Sequence, residues 1–348
     1  MTRPGGIAAA MTRRRTDAIT RTGRLPGIGA LLVALFLVTA CSDYPGDLSG
    51  GGAGTAGGGA GLTQIKVSDT AGMPAAFLTY GVQRGFFKEE GLDVQMQTSA
   101  GGAAVIPALL NGGLDVAGSN VVSAVIAMNR GLPLTMVGSG TSTADDPEQD
   151  FSGIAVPANS AITGAAGVNG KRIAVNTLRN INDVVIDAAI RKAGATPAGV
   201  KYVEMGFPEM LPALERGDVD AAMLIEPFLT MARSAGMRVV ADPYSDARRG
   251  LQIGTYLMAA QKARQNPRLV SSFQAGVRRT AESIRRDPAT FRTALPKIAG
   301  LKPDLAGKIH LPQWKGTTDR ASVDLIAASM RRLGLTDRAF DHDRYVLK

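Results

Sequence analysis

The sequence predicts an α/β protein of two similar lobes, each a mostly parallel sheet flanked by helices. Two observations support this prediction. The segment 106–136 aligns with the segment 211–241 at a constant offset of 105 residues and without a gap. Short apolar runs typical of strands also alternate with helical patterns, as parallel strands require because each pair needs a crossover. One α/β unit therefore occurs twice, and two like lobes in one chain form a cleft suited to a small ligand.

The two aligned segments share eight identical residues, among them the pairs Gly112 with Gly217 and Asp115 with Asp220. The shared pattern is a helix, a closing glycine and a short strand. Glycine commonly ends a helix in this way, because it adopts the left-handed conformation at little cost. The competing explanation for the match between the two segments is therefore that many βαβ units end their helices with glycine before a short strand.

The first series of elements follows Leu62 and alternates strand with helix. Its predicted members are strand 65–68, helix 75–90 closed by Gly91, strand 92–97, helix 103–110 closed by Gly112, strand 114–117, helix 121–129 and strand 134–137. Helix closure by glycine and the apolar spacing within each helix decide these assignments.

The second series begins after the turn Asn169-Gly170. Its predicted members are strand 171–175, helix 181–193, strand 200–203, helix 208–216, strand 221–225, helix 227–235 and strand 238–241. A longer helix follows, capped by Asn266 with Pro267 in its first turn and running to Arg286. Its apolar stripe of Leu269, Phe273, Val277 and Ile284 predicts one buried face.

The amino terminus predicts export. Five arginines between residues 13 and 24 precede the apolar run 28–40, which is shorter than the roughly 20 residues needed to span a bilayer. The run ends in Val38-Thr39-Ala40-Cys41, which resembles a lipoprotein processing site, and Cys41 is the only cysteine in the chain. We therefore predict a signal peptide over 1–40 and lipidation of Cys41. A cleaved signal that leaves a free cysteine is the alternative, and the start codon is either Met1 or Met11.

Residues 41–61 are predicted to form a flexible linker between the lipid anchor and the folded part, since 42–61 hold nine glycines without apolar periodicity. Loss of residues 1–40 removes six arginines and one aspartate, so the net charge falls from +9 to +4. Aromatic residues make up only 5% of the chain and no basic tract carries interleaved aromatics. Nucleic-acid binding is therefore not expected.

Candidate ligand-binding residues follow from the rule that ligands bind beyond the carboxyl ends of parallel strands. Free N–H groups at helix starts favour an anionic or oxygen-rich ligand there. The candidates are Met73, Ala75, Gly101, Gly102, Ser119, Asn120, Thr141, Thr177, Arg179, Asn180, Phe207, Glu226, Phe228 and Tyr256.

Several of these candidates have a second interpretation. Asn120, Thr177 and Asn180 can equally cap helices. Arg179 would clamp a sulfonate or carboxylate unless it is simply solvated, whereas Glu226 would repel an anion and prefer an amine or a ring N–H. The aromatic candidates either wall the pocket or pack in the core.

Four segments carry a resemblance to the substrate-binding lipoproteins of ABC importers that bind nitrate, taurine, alkanesulfonates and thiamine pyrimidine precursors. They are TYGVQRGFFKEEGLDV at 79–94, ALLNGGLDVA at 108–117, VNGKRIAV at 168–175 and LERGDVDAAMLIEPF at 214–228. The likeness spans about 62–348. It implies a type II periplasmic-binding-protein fold, with ligand positions that include Thr177 and Glu226. The segment 178–181 departs from sulfonate binders, which often carry Ser, Thr or Gly there.

The resemblance also implies a domain plan and partners. Lobe 1 would comprise 62–157 and 250–348, lobe 2 would comprise 158–249, and the hinge crossovers would lie near 157–160 and 244–250. The protein would be a monomer anchored outside the cell membrane, capturing a small organic solute for a permease and an ATPase subunit. The expected ligand is a sulfonate, taurine or nitrate-like compound, and a thiamine pyrimidine precursor or a similar heterocycle is the alternative. A solute sensor without a transport role is a further alternative.

Enzymatic activity is not expected from the residues. His310 and His342 are the only histidines, no motif has metal-ligand spacing, and neither a G-x-S-x-G elbow nor a P-loop occurs. The broad family includes a fungal pyrimidine-forming enzyme that uses a histidine and a cysteine cluster, and this sequence lacks both. We therefore expect neither a cofactor nor a metal.

Overall fold

The computed structural model of the protein describes residues 61–347. The predicted signal peptide, the lipidation site Cys41 and the linker up to residue 60 lie outside the described residues. Within the described range, none of the helices combines the length and the apolar character needed to cross a bilayer.

The first part of the described chain holds five strands and four helices: β1 (Thr63–Thr70), α1 (Met73–Gln83), α2 (Phe86–Glu89), β2 (Leu92–Ser99), α3 (Ile106–Leu110), β3 (Val116–Asn120), α4 (Val121–Asn129), β4 (Leu134–Ser139) and β5 (Thr141–Ser142). The helix predicted over 75–90 is two helices, because Gly85 adopts a φ of 80° and turns the chain between them. The helix predicted over 103–110 begins only at Ile106. The prediction for 121–129 is confirmed.

The middle of the chain forms β6 (Ser152–Val156), β7 (Arg172–Val175), α5 (Ile181–Lys192), β8 (Lys201–Glu204), α6 (Phe207–Arg216), β9 (Ala221–Ile225), α7 (Phe228–Ser234), β10 (Arg238–Ala241) and α8 (Pro243–Ala247). The rest forms β11 (Gly254–Ala259), α9 (Ala260–Gln265), α10 (Pro267–Arg286), α11 (Pro288–Ala299), β12 (Gln313–Trp314), α12 (Arg320–Arg332) and α13 (His342–Tyr345). The apolar stripe predicted on α10 is buried at Phe273, Val277 and Ile284, while Leu269 is half-buried.

Two five-stranded sheets have the same strand order. The first runs β2-β1-β3-β11-β4 and the second, read in the equivalent direction, runs β8-β7-β9-β6-β10. In each sheet, the fourth strand is antiparallel to its neighbours, and the other four are parallel to one another. The predicted α/β fold with mostly parallel sheets flanked by helices is therefore confirmed, although neither antiparallel strand, β6 nor β11, is among the predicted strands.

The boundary between the sheets differs from the expected domain plan. β6 pairs with β9 and β10 of the second sheet, so the chain has left the first sheet before Ser152. The expected crossover near 157–160, with residues up to 157 in lobe 1, would place β6 in the wrong sheet. The difference arises because β6 is a run of five buried residues whose partners lie some 70 to 90 residues away in sequence, which no local pattern reveals. On the return, β11 joins β3 and β4 of the first sheet, and the expected crossover at 244–250 falls between β10 and β11.

The internal repeat is visible in matching hydrogen bonds. β3 and β9 occupy positions exactly one offset apart, and an aspartate precedes each strand. Asp115 Oδ2 accepts from the backbone N–H of Lys66 at 2.6 Å, and Asp220 Oδ2 accepts from that of Arg172 at 2.8 Å. Each aspartate also donates its own N–H to the carbonyl of the same partner at 2.9 Å. The two aspartates therefore tie the start of one strand to its neighbour in the same way in both lobes.

We expect Asp115→Ala and Asp220→Ala to destabilise the protein by similar amounts, about 1 to 2 kcal/mol each, because each change leaves a backbone N–H without its acceptor. Urea unfolding of the two variants measures this. Asp218→Ala is the matched control, since Asp218 is exposed and pairs only with Arg216 in the described chain. A loss in one lobe but not in the other would contradict the structural equivalence.

Helix α12 connects the two lobes on one side. It packs against α4 of the first lobe and α5 of the second. Its residues Val323, Ile326 and Ala327 are fully buried in an apolar cluster that contains residues of both sheets.

Candidate functional site

A cavity lies between the two sheets, and the space inside it that is open to water-sized molecules is about 40 Å³. Its walls are the carboxyl ends of β1, β3 and β9, together with segments that follow β4 and β7 and precede β6, as the strand-end rule predicts. The lining residues are Asp69, Thr70, Pro74, Gly118, Ser119, Asn120, Gly140, Thr141, Phe151, Asn176, Ile181, Phe207, Ile225, Tyr244, Ile253, Gly254, Thr255 and Tyr256. Both lobes contribute, so a ligand held here would contact both.

Asp69 provides the charge of this cavity. It sits at the end of β1, only 4% exposed, and its Oδ1 accepts one hydrogen bond, from the backbone N–H of Thr70 at 2.7 Å. Burial raises the pKa of this carboxyl to about 7, because the charged form loses its hydration. Every other cavity-lining residue is uncharged.

Gly118 on β3 makes room for that carboxyl. A Cβ at this position would lie 1.9 Å from Asp69 Oδ1 and 2.1 Å from its Cγ. Any side chain here would displace the aspartate. The glycine is therefore needed for the close approach of the strand backbone and not for a special φ.

Several polar groups of the lining are already engaged. Ser119 Oγ donates to the carbonyl of Gly102, Thr255 Oγ1 donates to that of Gly138, and Tyr244 Oη donates to Asn182 Oδ1. Asn120 Oδ1 accepts from the N–H of Ser123 and so caps α4. These bonds leave the amide N–H₂ of Asn120 and the free lone pairs of the hydroxyls for a ligand.

Aromatic rings form the apolar wall. Phe151 and Tyr244 pack with ring centroids 5.7 Å apart, and Phe207 stacks on Phe228 at 5.8 Å with an interplanar angle of 13°. Tyr256 covers the first-lobe side and is 1% exposed. This combination suits a small flat ligand with a few polar atoms.

The structure brings five of the predicted site residues to the cavity: Ser119, Asn120, Thr141, Phe207 and Tyr256. Met73 and Ala75 are buried in α1 behind Pro74. Gly101 and Gly102 pack closely beside the cavity, since a Cβ would lie 2.4 Å from Thr177 Oγ1 at Gly101 and 2.5 Å from Ser119 Oγ at Gly102. Thr177 is half-buried against that loop but does not line the cavity.

Arg179, Asn180, Glu226 and Phe228 also lie off the cavity lining. Arg179 is exposed, adopts a φ of 51° and donates its backbone N–H to Asp183, which matches its solvated interpretation. Asn180 caps α5 through the N–H of Ile181 and exchanges hydrogen bonds with Ser123 of α4. Phe228 stacks on the ring of Phe207, which lines the cavity.

Glu226 links several distant segments of the chain through hydrogen bonds. The residue is fully buried. Its Oε2 accepts a hydrogen bond from the backbone N–H of Thr230 at 3.0 Å, and its Oε1 accepts one from the Thr230 hydroxyl at 2.8 Å. Oε1 also accepts from the N–H of His310 at 3.3 Å, and Arg233 Nη1 lies 3.7 Å away. Burial raises the pKa of this carboxyl to about 7. The carbonyl of Glu226 accepts from the N–H of Met73, so the residue fastens the lobes together beside the cavity.

Further hydrogen bonds cross between the lobes around the cavity. Asn176 Nδ2 donates to the carbonyl of Ala100 at 3.0 Å, and Ser123 meets Asn180 at 2.8 to 3.1 Å. With the Met73–Glu226 bond, these contacts hold the lobes together in this structure. They tie the start of α5 and the end of β9 to the first lobe.

Sequence reasoning missed some cavity residues for identifiable reasons. Asp69 begins a loop that the strand-end rule selects, but the residue itself is not among the candidates. The signal was a carboxylate directly after the buried run Val67-Ser68. Phe151 and Tyr244 gave no such signal. Phe151 directly precedes β6 and Tyr244 lies within α8, and local patterns did not reveal either element as part of the cleft.

Metal and histidine chemistry have no visible centre in the described chain. Residues 61–347 contain no group of three or more His, Cys, Asp or Glu side chains arranged to hold a metal ion. His310 Nδ1 lies 3.2 Å from the carbonyl of Asp150, and His342 Nε2 lies 2.8 Å from Asp324 Oδ1 on α12. Neither histidine lines the cavity.

A family model described as NMT1/THI5 like matches residues 74–290, which is more than half of the chain. The chain belongs to the NMT1/THI5-like family. The match covers both sheets and every strand that contributes to the cavity except β1. The family resemblance carried by the sequence motifs is therefore confirmed.

Solved structures place the fold. The alkanesulfonate-binding protein SsuA from Xanthomonas axonopodis pv. citri, bound to MOPS, is 18% identical with a TM-score of 0.69 and covers 82% of this chain and 99% of that one. The periplasmic nitrate-binding protein NrtA from Synechocystis PCC 6803 is 13% identical with a TM-score of 0.63 and covers 82% and 86%. A Candida albicans protein described as having the generic periplasmic binding protein fold aligns with a TM-score of 0.65 at 13% identity and covers 82% of this chain and 97% of that one. The chain has the periplasmic-binding-protein fold.

Sequence relatives carry a different description. A 4-amino-5-hydroxymethyl-2-methylpyrimidine phosphate synthase from Aspergillus parasiticus is 24% identical over 279 residues, which are 74% of this chain and 78% of that protein. A protein of the same description from Saccharomyces cerevisiae is 23% identical over 246 residues, 67% and 68% of the two chains. Proteins similar to this chain therefore include both binding proteins and enzymes.

Proposed function

We propose that this protein is the extracytoplasmic solute-binding component of an ABC importer. The observation that carries the proposal is the cavity itself: it lies between two sheets of the same strand order, and both sheets line it. Such a site releases its ligand only when the lobes separate, which suits capture and delivery. The similar binding proteins for alkanesulfonates and nitrate support the same role.

The ligand we propose is a small flat heterocycle with N–H donors, such as a pyrimidine precursor of thiamine. The sulfonate, taurine or nitrate-like ligand that the resemblance favours fits less well, because an anion needs cationic or densely donating partners. The lining offers one carboxyl and no Lys, Arg or His among the described residues. Aromatic walls and hydroxyl and amide groups match a heterocycle better.

We propose that the protein binds its ligand without transforming it, although the proteins similar to it include synthases. The described cavity lining contains neither histidine nor cysteine, and Asp69 is its sole ionisable carboxyl. The single cysteine of the chain is Cys41, well before the folded lobes. General acid-base chemistry on a ring would need a second proton-transferring group near the first.

The amino-terminal features complete the proposal. We propose that residues 1–40 direct export, that Cys41 carries a lipid and that residues up to 61 tether the lobes to the outer face of the cell membrane. A monomer so anchored would deliver its solute to a permease driven by an ATPase subunit. A sensor that binds the solute without transport would use the same cavity, and transport of the bound solute distinguishes the two.

Ligand binding is expected to raise the thermal stability of the purified protein. At a ligand concentration of 100 times Kd, the gain is about 2.7 kcal/mol, because only the folded state binds. That gain corresponds to a rise in Tm of about 4 to 5 °C for a folded chain of this length. The measurement is a thermal-shift panel of 4-amino-5-hydroxymethyl-2-methylpyrimidine, thiamine, riboflavin, taurine, ethanesulfonate and nitrate, with native mass spectrometry of the untreated protein.

Two results would oppose the proposal. Formation of 4-amino-5-hydroxymethyl-2-methylpyrimidine phosphate by the purified protein would favour the enzyme. Absence of a shift with every compound, together with no co-purified molecule in the mass spectrum, would contradict solute binding itself. A shift with ethanesulfonate or nitrate alone would keep the binding role and replace the proposed ligand.

A further inference from the structure

We infer that Asp69 is the ligand anchor of the cavity, and that its carboxylate pairs with a cationic or doubly donating edge of the ligand, such as an amidinium or an aminopyrimidine. This inference rests on the proposed binding function and names the chemistry that the site selects. It assigns to Asp69 the preference for an amine or ring N–H that the sequence attributes to Glu226.

The isolation of the Asp69 carboxyl is the first argument. Its single observed hydrogen bond, from Thr70, occupies one of about four lone-pair positions. Among the described residues, no Lys, Arg or His forms an ion pair with it. A buried carboxylate without a partner is costly, so its natural complement is a donor that arrives with the ligand.

Glu226 shows what a satisfied carboxylate looks like in the same protein. That residue has two bonds from Thr230, one from His310 and a nearby guanidinium at Arg233. Asp69 has a comparable burial and a similarly raised pKa of about 7, yet lacks such a set. The contrast separates a structural carboxyl from one that faces an open cavity.

The space around Asp69 is the second argument. Gly118 leaves the carboxyl unobstructed on the β3 side, where any Cβ would collide with it. Tyr256 on β11 packs nearby, and the neighbouring carboxyl helps to raise the pKa of its phenol well above the ordinary value, after burial. Ser119 and Asn120 on β3 and Thr70 on β1 are uncharged, so no other charge in the lining competes for the ligand.

Planar ligands with two parallel N–H donors match this arrangement. A carboxylate accepts such an edge in bidentate fashion, and the charge-assisted bonds are roughly twice as strong as neutral ones. The aromatic rings of Phe151, Phe207 and Tyr244 then enclose the ring plane from the second lobe. Sulfonates and nitrate are disfavoured, because they would meet a buried carboxylate of the same charge.

The test is isothermal titration with benzamidine and with 4-amino-5-hydroxymethyl-2-methylpyrimidine, using ethanesulfonate as the anionic comparison. The three proteins compared are the wild type, Asp69→Asn and the matched control Asp337→Asn. In the wild type, the side chain of Asp337 is 88% exposed and lies outside the cavity. We expect Asp69→Asn to bind the better of the two donor probes at least about 10-fold more weakly, with the control unchanged. Asparagine preserves size, so a Tm of Asp69→Asn at or above that of the wild type confirms folding.

The pH dependence is a second readout. Because burial holds the pKa of Asp69 near 7, the carboxyl of the empty protein is largely protonated at pH 6 and ionised at pH 8. The affinity of the wild type for benzamidine is therefore expected to rise from pH 6 to pH 8, since benzamidine stays cationic throughout. Asp69→Asn should show no such rise.

Failure of this inference is distinguishable from failure of the binding function. Equal affinity of wild type and Asp69→Asn for a bound donor probe overturns the anchor and leaves solute binding intact. Ethanesulfonate binding tighter than both donor probes, unaffected by the substitution, does the same. Lack of binding by every probe, with no co-purified molecule, removes the binding function and the anchor together.

Discussion

Glu226→Ala is expected to destabilise the protein by about 3 to 5 kcal/mol, the cost of removing one partner from a buried charged network. The change leaves the N–H groups of Thr230 and His310 without their acceptor. It also removes the carboxylate beside Arg233. Because these partners lie on α7 and on the segment before β12, the loss loosens the junction between the lobes.

Urea unfolding of the variant measures this effect. Glu226→Gln retains one carbonyl acceptor and the side-chain volume, so its cost should fall between those of the wild type and alanine. Glu215→Ala on the exposed face of α6 is the control, with an expected change within about 0.5 kcal/mol. A loss below about 1 kcal/mol for Glu226→Ala would show that the buried network contributes little.

The empty protein is expected to become more stable as the pH falls from 8 to 5. Five carboxyls have raised pKa values, each chiefly because of desolvation: the buried Asp69 and Glu226 at about 7, the buried Asp150 at about 6, and the half-buried Asp183 and Asp242 at about 6. The folded state therefore holds more protons than the unfolded state in this window. Stability is fully present below the unfolded pKa values near 4 and is lost as the pH rises through 6 to 7.

Other groups limit the size of this effect. His310 has a lowered pKa through burial and opposes the gain as it is forced to charge at acid pH. The carboxyls with lowered pKa values, Asp220, Asp287 and Asp319, lose stability only at lower pH. A net rise in the unfolding midpoint at pH 5 is therefore expected to persist.

The measurement is the urea midpoint of the empty protein at pH 5, 6, 7 and 8. The double variant Asp69→Asn and Glu226→Gln removes the two most strongly shifted groups, so most of the dependence between pH 6 and 8 should disappear. Asp337→Asn controls for the loss of surface charge. A midpoint that rises steadily from pH 5 to 8 would contradict the assigned burial of these carboxyls.

Local patterns predicted a large share of the fold. Helix 121–129 and strands 221–225 and 238–241 match the structure at both ends, since a capping asparagine, closing glycines and short β-branched runs act over a few residues. The repeat at an offset of 105 residues corresponds to β3 and β9 and to their paired aspartates. The helix and strand bounds depend on neighbours within one turn or one strand, whereas the repeat was visible because the same short pattern occurs twice.

The candidate site was less predictable. The strand-end rule found the right loops, but residues within one loop face different ways. Asp69 lies at the end of β1 and Glu226 directly follows β9, yet the first carboxyl faces the cavity and the second accepts hydrogen bonds from the first turn of α7. The hydrogen bonds that choose between these orientations come from residues distant in the chain, such as His310 for Glu226.

The amino-acid order alone thus predicts many of the helices and strands and the doubling of the α/β unit. It also carries the amino-terminal pattern from which we predict export. Pairing over long sequence distances specifies the rest. β6 and β11 each pair with strands that are roughly 70 residues or more away in sequence. The two lobes meet around the cavity through contacts between distant residues, such as the Met73–Glu226 and Asn176–Ala100 hydrogen bonds. Burial also gives Asp69 its raised pKa, because the cost of an unpaired charge appears only when the surrounding walls exclude water.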